Sequence, residues 1–436
     1  MQETVHVIGA GLAGCEAAYQ ITKRGYNVKL YEMKPEKHSA AHKSDDFAEL
    51  VCSNSLKSNI ITNACGLLKE EMRLLDSLII KAADECKVPA GAALAVDRDK
   101  FSAYITEQIT NNDNIEIIKG EVTQFDVNEP TIIATGPLTS DGLISFLGTL
   151  NIEKINFYDA AAPILEKDSI DMNIVYFGAR YDKGDPDYIN CPMDETQYNA
   201  FYNELIDAKT APLHEFETVN VFEGCMPIEV MAKRGPKTLL FGPLRPVGLI
   251  DKRTGVKAHA VVQLRQDNLP GSLYNIVGFQ TNLTFSEQKR VFSMIPGLEN
   301  AEFVRYGVMH RNTYINGPKT LKSDFSMKDK PNVYFAGQIT GVEGYVESAA
   351  SGLLAGINIA RRLSGKLPLE LSNRTMLGAL SGYVGNFSGS DYQPMNANFG
   401  IIEPLNERIK DKKQRYEVLA NRALDEIKDL NEPNII

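Results

Sequence analysis

Three glycines and one acid near the N-terminus carry the clearest chemical signal in the sequence. In Gly9-Ala10-Gly11-Leu12-Ala13-Gly14, glycine stands at the three places where a dinucleotide-binding turn has no room for a side chain. The first allows the tight turn, the second lets the backbone approach a pyrophosphate, and the third lets helix and strand pack closely. The pyrophosphate then rests on the amides and positive dipole of a helix start. Glu32 follows the last glycine at roughly the ~20-residue spacing of this fingerprint, where a carboxylate accepts hydrogen bonds from a ribose diol. The other candidate reactive groups are the cysteines 15, 52, 65, 86, 191 and 225. They show no Cys-x-x-Cys and no metal-ligand spacing, so reduced thiols acting singly are expected rather than disulfides or a metal site.

These residues require particular elements around them. Val5-His6-Val7-Ile8 reads as a buried strand, Cys15 to Arg24 as a helix with Ala13, Ala17 and Ile21 on one face, and Val28 to Tyr31 as a second strand ending at Glu32. Further along, Thr131 to Pro137 is an apolar strand closing in a small-residue turn that contains Gly136. Asn332 to Gln338, with Gly337 and Gln338 at its end, repeats that pattern. Gly341 and Gly344 follow, and then a helix from Tyr345 to Ile359 rich in small residues. A Gly-rich turn onto a helix start is where a flavin ribityl-phosphate arm could sit; small residues equally suit close packing on another helix. No second Gly-x-Gly-x-x-Gly occurs. One bound dinucleotide, FAD, is therefore expected, and NADH or NADPH would visit as a transient reductant without a Rossmann site of its own.

Composition bounds the rest. The 436 residues, 43% hydrophobic and 23% charged, suffice for two ordered domains. The expected fold is α/β: a Rossmann-like FAD-binding domain from residues 1–155 and 320–436, interrupted by an inserted α+β domain over 156–319, where Gly, Pro, Tyr and Phe become frequent. Helices are expected over Gly66 to Cys86, Lys100 to Ile109 and Glu403 to Leu430, and mixed strands in the insert. Phe47 to Asn59, rich in Ser and Asn, reads as a loop. No apolar run approaches the ~18 residues of a membrane helix, and no signal peptide is evident, which points to the cytoplasm and to no membrane partner. The net charge of −10 argues against nucleic-acid binding by bulk charge and confines any such binding to a local patch. Lys233, Arg234 and Lys237 form one basic cluster; Lys410, Lys412, Lys413 and Arg415 form another. Either is by default a solvated surface.

Several segments go beyond a generic flavoprotein. The Gly9–Gly14 turn, Phe47 to Ser55, Val88-Pro89-Ala90-Gly91, Thr131 to Pro137, Phe222 to Glu229, Met231 to Gly235, Gly307 to Thr313 and Ala336 to Ser351 resemble, in order, the folate- and FAD-dependent tRNA uridine methyltransferases. The likeness continues through Gln393 to Gly400 and so spans nearly the whole chain. That family in turn resembles the larger glucose-inhibited-division flavoproteins in its cofactor domain.

The resemblance implies that methylenetetrahydrofolate supplies a carbon, reduced FAD supplies electrons, and a T-loop uridine of tRNA becomes 5-methyluridine. Carbon 5 of uracil is a poor nucleophile until a group adds at carbon 6, and a thiolate suits that addition best. Cys225 and Cys52 are the two cysteines in family motifs. Attack on carbon 6 is assigned to Cys225, close in sequence to Lys233, Arg234 and Lys237; Cys52 is expected on the flavin side. Tyr345 could stack on a pterin or on the isoalloxazine. Arg265, His310 and Arg311 could bind folate carboxylates or RNA phosphates. Cys15 stands where Ser is more usual in the family, and Lys57 where Arg is. The same chemistry on a uridine of 23S ribosomal RNA is an alternative. An FAD-dependent NAD(P)H oxidoreductase acting on a small molecule is another, weakened by the missing second nucleotide motif; a noncatalytic RNA-binding flavoprotein is a third, weakened by the two motif cysteines.

Overall fold

The computed structural model describes residues 3–182, 185–211, 226–255, 257–389 and 392–430, with the side chains of residues 157–159, 310 and 311 outside that description. A five-stranded parallel sheet organises the chain, in the order Val333–Phe335, Thr131–Ile133, Thr4–Ile8, Asn27–Glu32, Ile115–Lys119. The strand Thr4–Ile8 lies at its centre, with its sequence successor on one side and Thr131–Ile133 on the other. Connections therefore diverge at the carboxyl end of this strand, and that divergence opens a crevice there.

The helix Leu12–Lys23 starts earlier than the spacing predicts, because Gly11 already serves as its N-cap. It packs on the long helix Tyr345–Leu363. A Cβ on Gly352 would lie 2.2 Å from the Ala13 carbonyl oxygen, and one on Gly356 2.7 Å from that of Ala17. The small residues of the long helix thus serve helix–helix approach along most of its length. Only its first turn reaches the crevice, through Tyr345 and Ser348.

The single helix expected over Gly66 to Cys86 is two, Ala64–Leu74 and Leu78–Glu85. Asp76 between them takes a left-handed conformation (φ 55°), and the Ser77 side chain accepts the Ile80 amide and caps the second helix. The last helix begins at Lys412, not Glu403, where the Asp411 carboxylate accepts the Gln414 amide. Glu71 on Ala64–Leu74 is fully buried and accepts the amides of Met376 (2.7 Å) and Leu377 (2.8 Å), capping the helix Met376–Asn386. Burial pushes its carboxyl up to about 8 against the pull of those amides. Between the ordinary carboxylate value and about 8, the folded chain holds a proton that the unfolded chain has released. Stability should therefore fall as pH rises through that window. Thermal melts from about pH 5 to about pH 9 should show this slope in wild type and a shallower one in Glu71→Gln.

A second sheet of six strands runs Tyr176–Phe177, Ile189–Met193, Ala260–Gln266, Leu273–Ile276, Ile164–Glu166, Phe303–Arg305. The sequence predicts mixed strands for the insert, whereas every pairing in this sheet is antiparallel. Two of the pairs, Tyr176–Phe177 with Ile189–Met193 and Ala260–Gln266 with Leu273–Ile276, follow one another closely in the chain, where a short connection permits only antiparallel pairing; the others join strands far apart in sequence. One buried apolar cluster draws on residues from Val5 to Ile152 and from Ile315 to Ile427, and another on residues from Ala162 to Ala301. The antiparallel pair Lys154–Ala160 and Met309–Ile315 carries the chain from the first cluster to the second and back.

Candidate cofactor cleft and thiol loop

The crevice at the end of the central strand is an open cleft of ≈ 1170 Å³. Gly9, Ala10, Gly11, Leu12 and Ala13 form one wall, Gly136 and Gly337 with Gln338 another, and Glu32 the base. Gly9 has φ 102°, and a Cβ there would lie 2.6 Å from the Ala134 oxygen. Gly14 stands behind the wall: its Cβ would lie 1.8 Å from the Gly9 oxygen, so this position serves packing. Gly11 differs from both, with nothing within 4 Å of its Cβ position, so the space in front of it is open cleft. The helix behind it has no side-chain cap and no acid in its first turn, which leaves its first amides to an anion. Glu32 Oε2 accepts the Ala10 amide (2.9 Å) and Oε1 the Lys34 amide (3.1 Å), so the carboxylate is aimed before any ligand arrives.

These features fit a dinucleotide such as FAD: a close backbone, uncapped amides, an oriented acid, and mostly apolar walls running from Gly120 and Val122 to Tyr345. Gly341 and Gly344, expected to contact cofactor, stand outside the lining. A Cβ on Gly341 would strike the Tyr392 hydroxyl at 2.4 Å, and Gly344 has φ 121°, so the turn itself requires both. Cys15 donates its thiol to the Ala10 oxygen at 3.3 Å, a bond that serine would make as well. Sequence reasoning passed over Thr135, Ser140, Ser39 and His42, which also line the cleft.

The loop carrying Cys52 is fastened at the end of this cleft. The Tyr345 hydroxyl accepts the amides of Cys52 (2.7 Å) and Ser53 (3.2 Å). Burial, followed by the neighbouring Cys52, pushes that hydroxyl up, so it stays protonated. Arg98 donates to the oxygens of Leu50 (2.8 Å) and Cys52 (3.3 Å), and Arg305 to that of Val51 (2.7 Å). Burial opposes the charge of Arg98, and Asp267, 3.0 Å away, more than restores it. Arg265, expected to meet ligand, is instead buried, donating to Asn54 Oδ1 (3.1 Å) and Ser53 Oγ (2.6 Å). Asn54 in turn donates to Val96 and Gln266 oxygens. Lys57, just beyond, pairs at 3.2 Å with Glu347, buried in the first turn of the Tyr345 helix.

The sequence offered no periodic signal for Arg98, Arg305 or Asp267, since their partners lie more than 150 positions away or on loop carbonyls. Cys52 is only partly buried, whereas Cys15, Cys65, Cys86 and Cys191 are buried and their thiols are pushed up by burial, Cys65 to about 11. That keeps those four protonated and inert. Cys225 lies outside the described residues. His310 and Arg311 sit on the strand Met309–Ile315, opposite Asp159 and Tyr158. Lys233, Arg234 and Lys237 are exposed and do not line the cleft. Among the described residues no group of His, Cys, Asp or Glu is arranged to hold a metal, and no helix is long and apolar enough to cross a membrane.

Comparison with known proteins agrees with this geometry. The Aquifex aeolicus GidA structures superpose with TM-scores of 0.72 and 0.71 at 17% identity, covering 99% of this chain and 76% and 74% of theirs, a likeness of fold. The Bacillus licheniformis protein named methylenetetrahydrofolate–tRNA-(uracil-5-)-methyltransferase TrmFO is 59% identical over 432 residues, 99% of each chain. The Brevibacillus brevis protein of the same name is 58% identical with the same coverage. The family described as glucose inhibited division protein A matches residues 4–367. The chain thus belongs to the glucose inhibited division protein A family, on the branch of the methylenetetrahydrofolate–tRNA-(uracil-5-)-methyltransferases.

Proposed function

We propose that this chain is an RNA methyltransferase that forms 5-methyluridine in tRNA, taking carbon from methylenetetrahydrofolate and electrons from reduced FAD. The full-length likeness to relatives of that name supports the substrate class. One geometric observation carries the site: the Cys52 loop is held onto Tyr345, a wall residue of the dinucleotide cleft. Residues Gly9 to Ala13, Glu32, Gly136, Gly337 and Gln338 would hold the FAD. Reduced FAD supplies the two electrons that bring the folate methylene carbon to the level of a methyl group.

The chain's own groups do the rest. Arg98, Arg305, Arg265 and Tyr345 hold the Cys52 loop against the cleft, so a thiol on it is positioned without rearrangement. A thiolate adding to carbon 6 of uracil turns the carbon 5–carbon 6 double bond into an enolate, and its later departure restores the ring. We assign that attack to Cys225 and a flavin-side role to Cys52. The domain division at 155 and 319 belongs to the same reading, supported by the two apolar clusters and the strand pair between them. So does a cytoplasmic location, with NADH or NADPH as reductant.

Purified protein incubated with undermethylated tRNA, methylenetetrahydrofolate and NADPH or NADH should yield 5-methyluridine in the nucleoside digest. Modified 23S ribosomal RNA with unmodified tRNA would instead assign the other substrate, and no modified nucleoside in either would end the proposal. Neutralising Lys233, Arg234 and Lys237 together should weaken tRNA binding and reduce its salt slope by up to about three phosphate contacts, with FAD retained. An unchanged slope would return the cluster to ordinary solvated surface.

A further inference from the structure

The basic cluster continues into a larger surface that the proposed reaction has not used. Between Met226 and Lys257 the only acids in the sequence are Glu229 and Asp251. Both are buried: Glu229 bonds Thr281 and the Asn282 amide, and Asp251 is held by Arg253. Lys233, Arg234, Lys237, Arg245 and Lys257 are exposed in the same stretch. Within residues 226–257 the exposed charges are all positive, and on the adjoining segment the exposed Asp182 pairs with Lys252 at 2.8 Å, which leaves Lys233, Lys237, Arg245 and Lys257 as the basic part of the surface.

Large apolar groups are exposed in the same stretch of chain. Phe241, at the end of the short helix Thr238–Phe241, is 81% exposed, and Val247 and Tyr181 are each 51% exposed. Tyr181 belongs to the same surface although it is distant in sequence: its amide donates to the Gly248 oxygen at 2.6 Å, and Arg245 Nη2 lies 3.4 Å from its hydroxyl. Arg180 Nη1 donates to the Arg245 oxygen at 3.0 Å, tying the two segments together. Tyr181 and Asp182 both take left-handed conformations, at φ 61° and 51°. Consecutive residues of this kind are costly, and here they turn an aromatic ring outward beside an arginine.

Resting on the RNA-substrate reading above, we infer that the face built by Phe241, Arg245 and Tyr181 is an RNA-docking surface, on which the two rings stack against unpaired bases while the surrounding cations meet phosphates. Charge decides for this occupant. A second copy docked two-fold through this same face would set its cations against like charges, whereas single-stranded nucleic acid offers π-faces and phosphates together.

The test is binding of an unmodified tRNA transcript to the FAD-loaded protein, followed by anisotropy across a salt series, for wild type, Phe241→Ala, Tyr181→Ala and Arg245→Gln. FAD absorbance serves as the check on folding. Phe241→Ala should weaken binding roughly tenfold with an unchanged salt slope, as loss of one stacked base does. Arg245→Gln should lower the slope by about one phosphate contact. If wild type methylates tRNA and all three variants bind as it does, the docking surface is wrong and the methyltransferase reading stands. If wild type neither binds nor methylates tRNA, both fall. If Phe241→Ala leaves RNA affinity intact but turns a dimer into a monomer on size exclusion, the face joins copies of this chain and the inference is overturned.

Discussion

Gly11→Val should give a folded protein that has lost its flavin. The expectation follows from a difference among the three glycines of the turn. Gly9 and Gly14 are enclosed, with Cβ positions 2.6 Å from the Ala134 oxygen and 1.8 Å from the Gly9 oxygen, so a side chain at either disturbs the fold itself. Gly11 has ordinary negative φ and an empty Cβ position, so valine there meets no clash and costs the protein only the ~1 kcal/mol of a poorer N-cap. The cost falls on the ligand, because the added methyls occupy the space through which a pyrophosphate must approach the helix amides. Flavin bound per chain should drop by about tenfold or more, while the melting temperature of apo-protein stays near that of apo wild type. Gly14→Ala is the matching control and should lower apo-protein stability. A full flavin spectrum in Gly11→Val would remove the pyrophosphate from this turn.

The largest effect on turnover is expected from the thiols. Cys52→Ala and Cys225→Ala should each bind FAD yet lose methylation by far more than the ~10²-fold that a modest acid–base helper contributes. The two should part company on tRNA carrying 5-fluorouridine at the target, where fluorine cannot leave as a proton does and an adduct accumulates. Wild type and Cys52→Ala should form the covalent complex and Cys225→Ala should not. Trapping by Cys225→Ala but not by Cys52→Ala reverses the assignment, and trapping by both removes both thiols from the attack. Because the Cys52 loop is held through its backbone by Arg98, Arg305 and Tyr345, alanine at Cys52 leaves those bonds in place. A loss of activity there reports on the side chain.

How much of this was legible in the sequence varies from element to element. The dinucleotide turn was readable because each requirement is local: a buried strand, glycines at fixed offsets and an acid at the next strand's end lie within one short stretch. The extent of the helix over Gly66 to Cys86 was not, since apolar spacing continues across Asp76 and Ser77 even where the backbone turns left-handed and a new cap begins. The small residues of Tyr345–Leu363 suited a cofactor or a helix equally well by composition. Packing on Ala13 and Ala17 settles most of that face.

By itself the sequence determined the class of fold, the place of the dinucleotide turn, the acid that ends the second strand and the likeness to a methyltransferase family, because all of these live in residue type at short or fixed spacing. Tertiary structure alone decided what holds the thiol loop. Arg265 and Arg98 are indistinguishable from surface arginines in the sequence, yet one binds Ser53 and Asn54 and the other binds Asp267 and two loop carbonyls. Tyr345 reaches Cys52 across 293 positions. Such contacts arise only when the antiparallel insert folds back onto the parallel sheet, and no local propensity or period encodes a bond between residues that far apart.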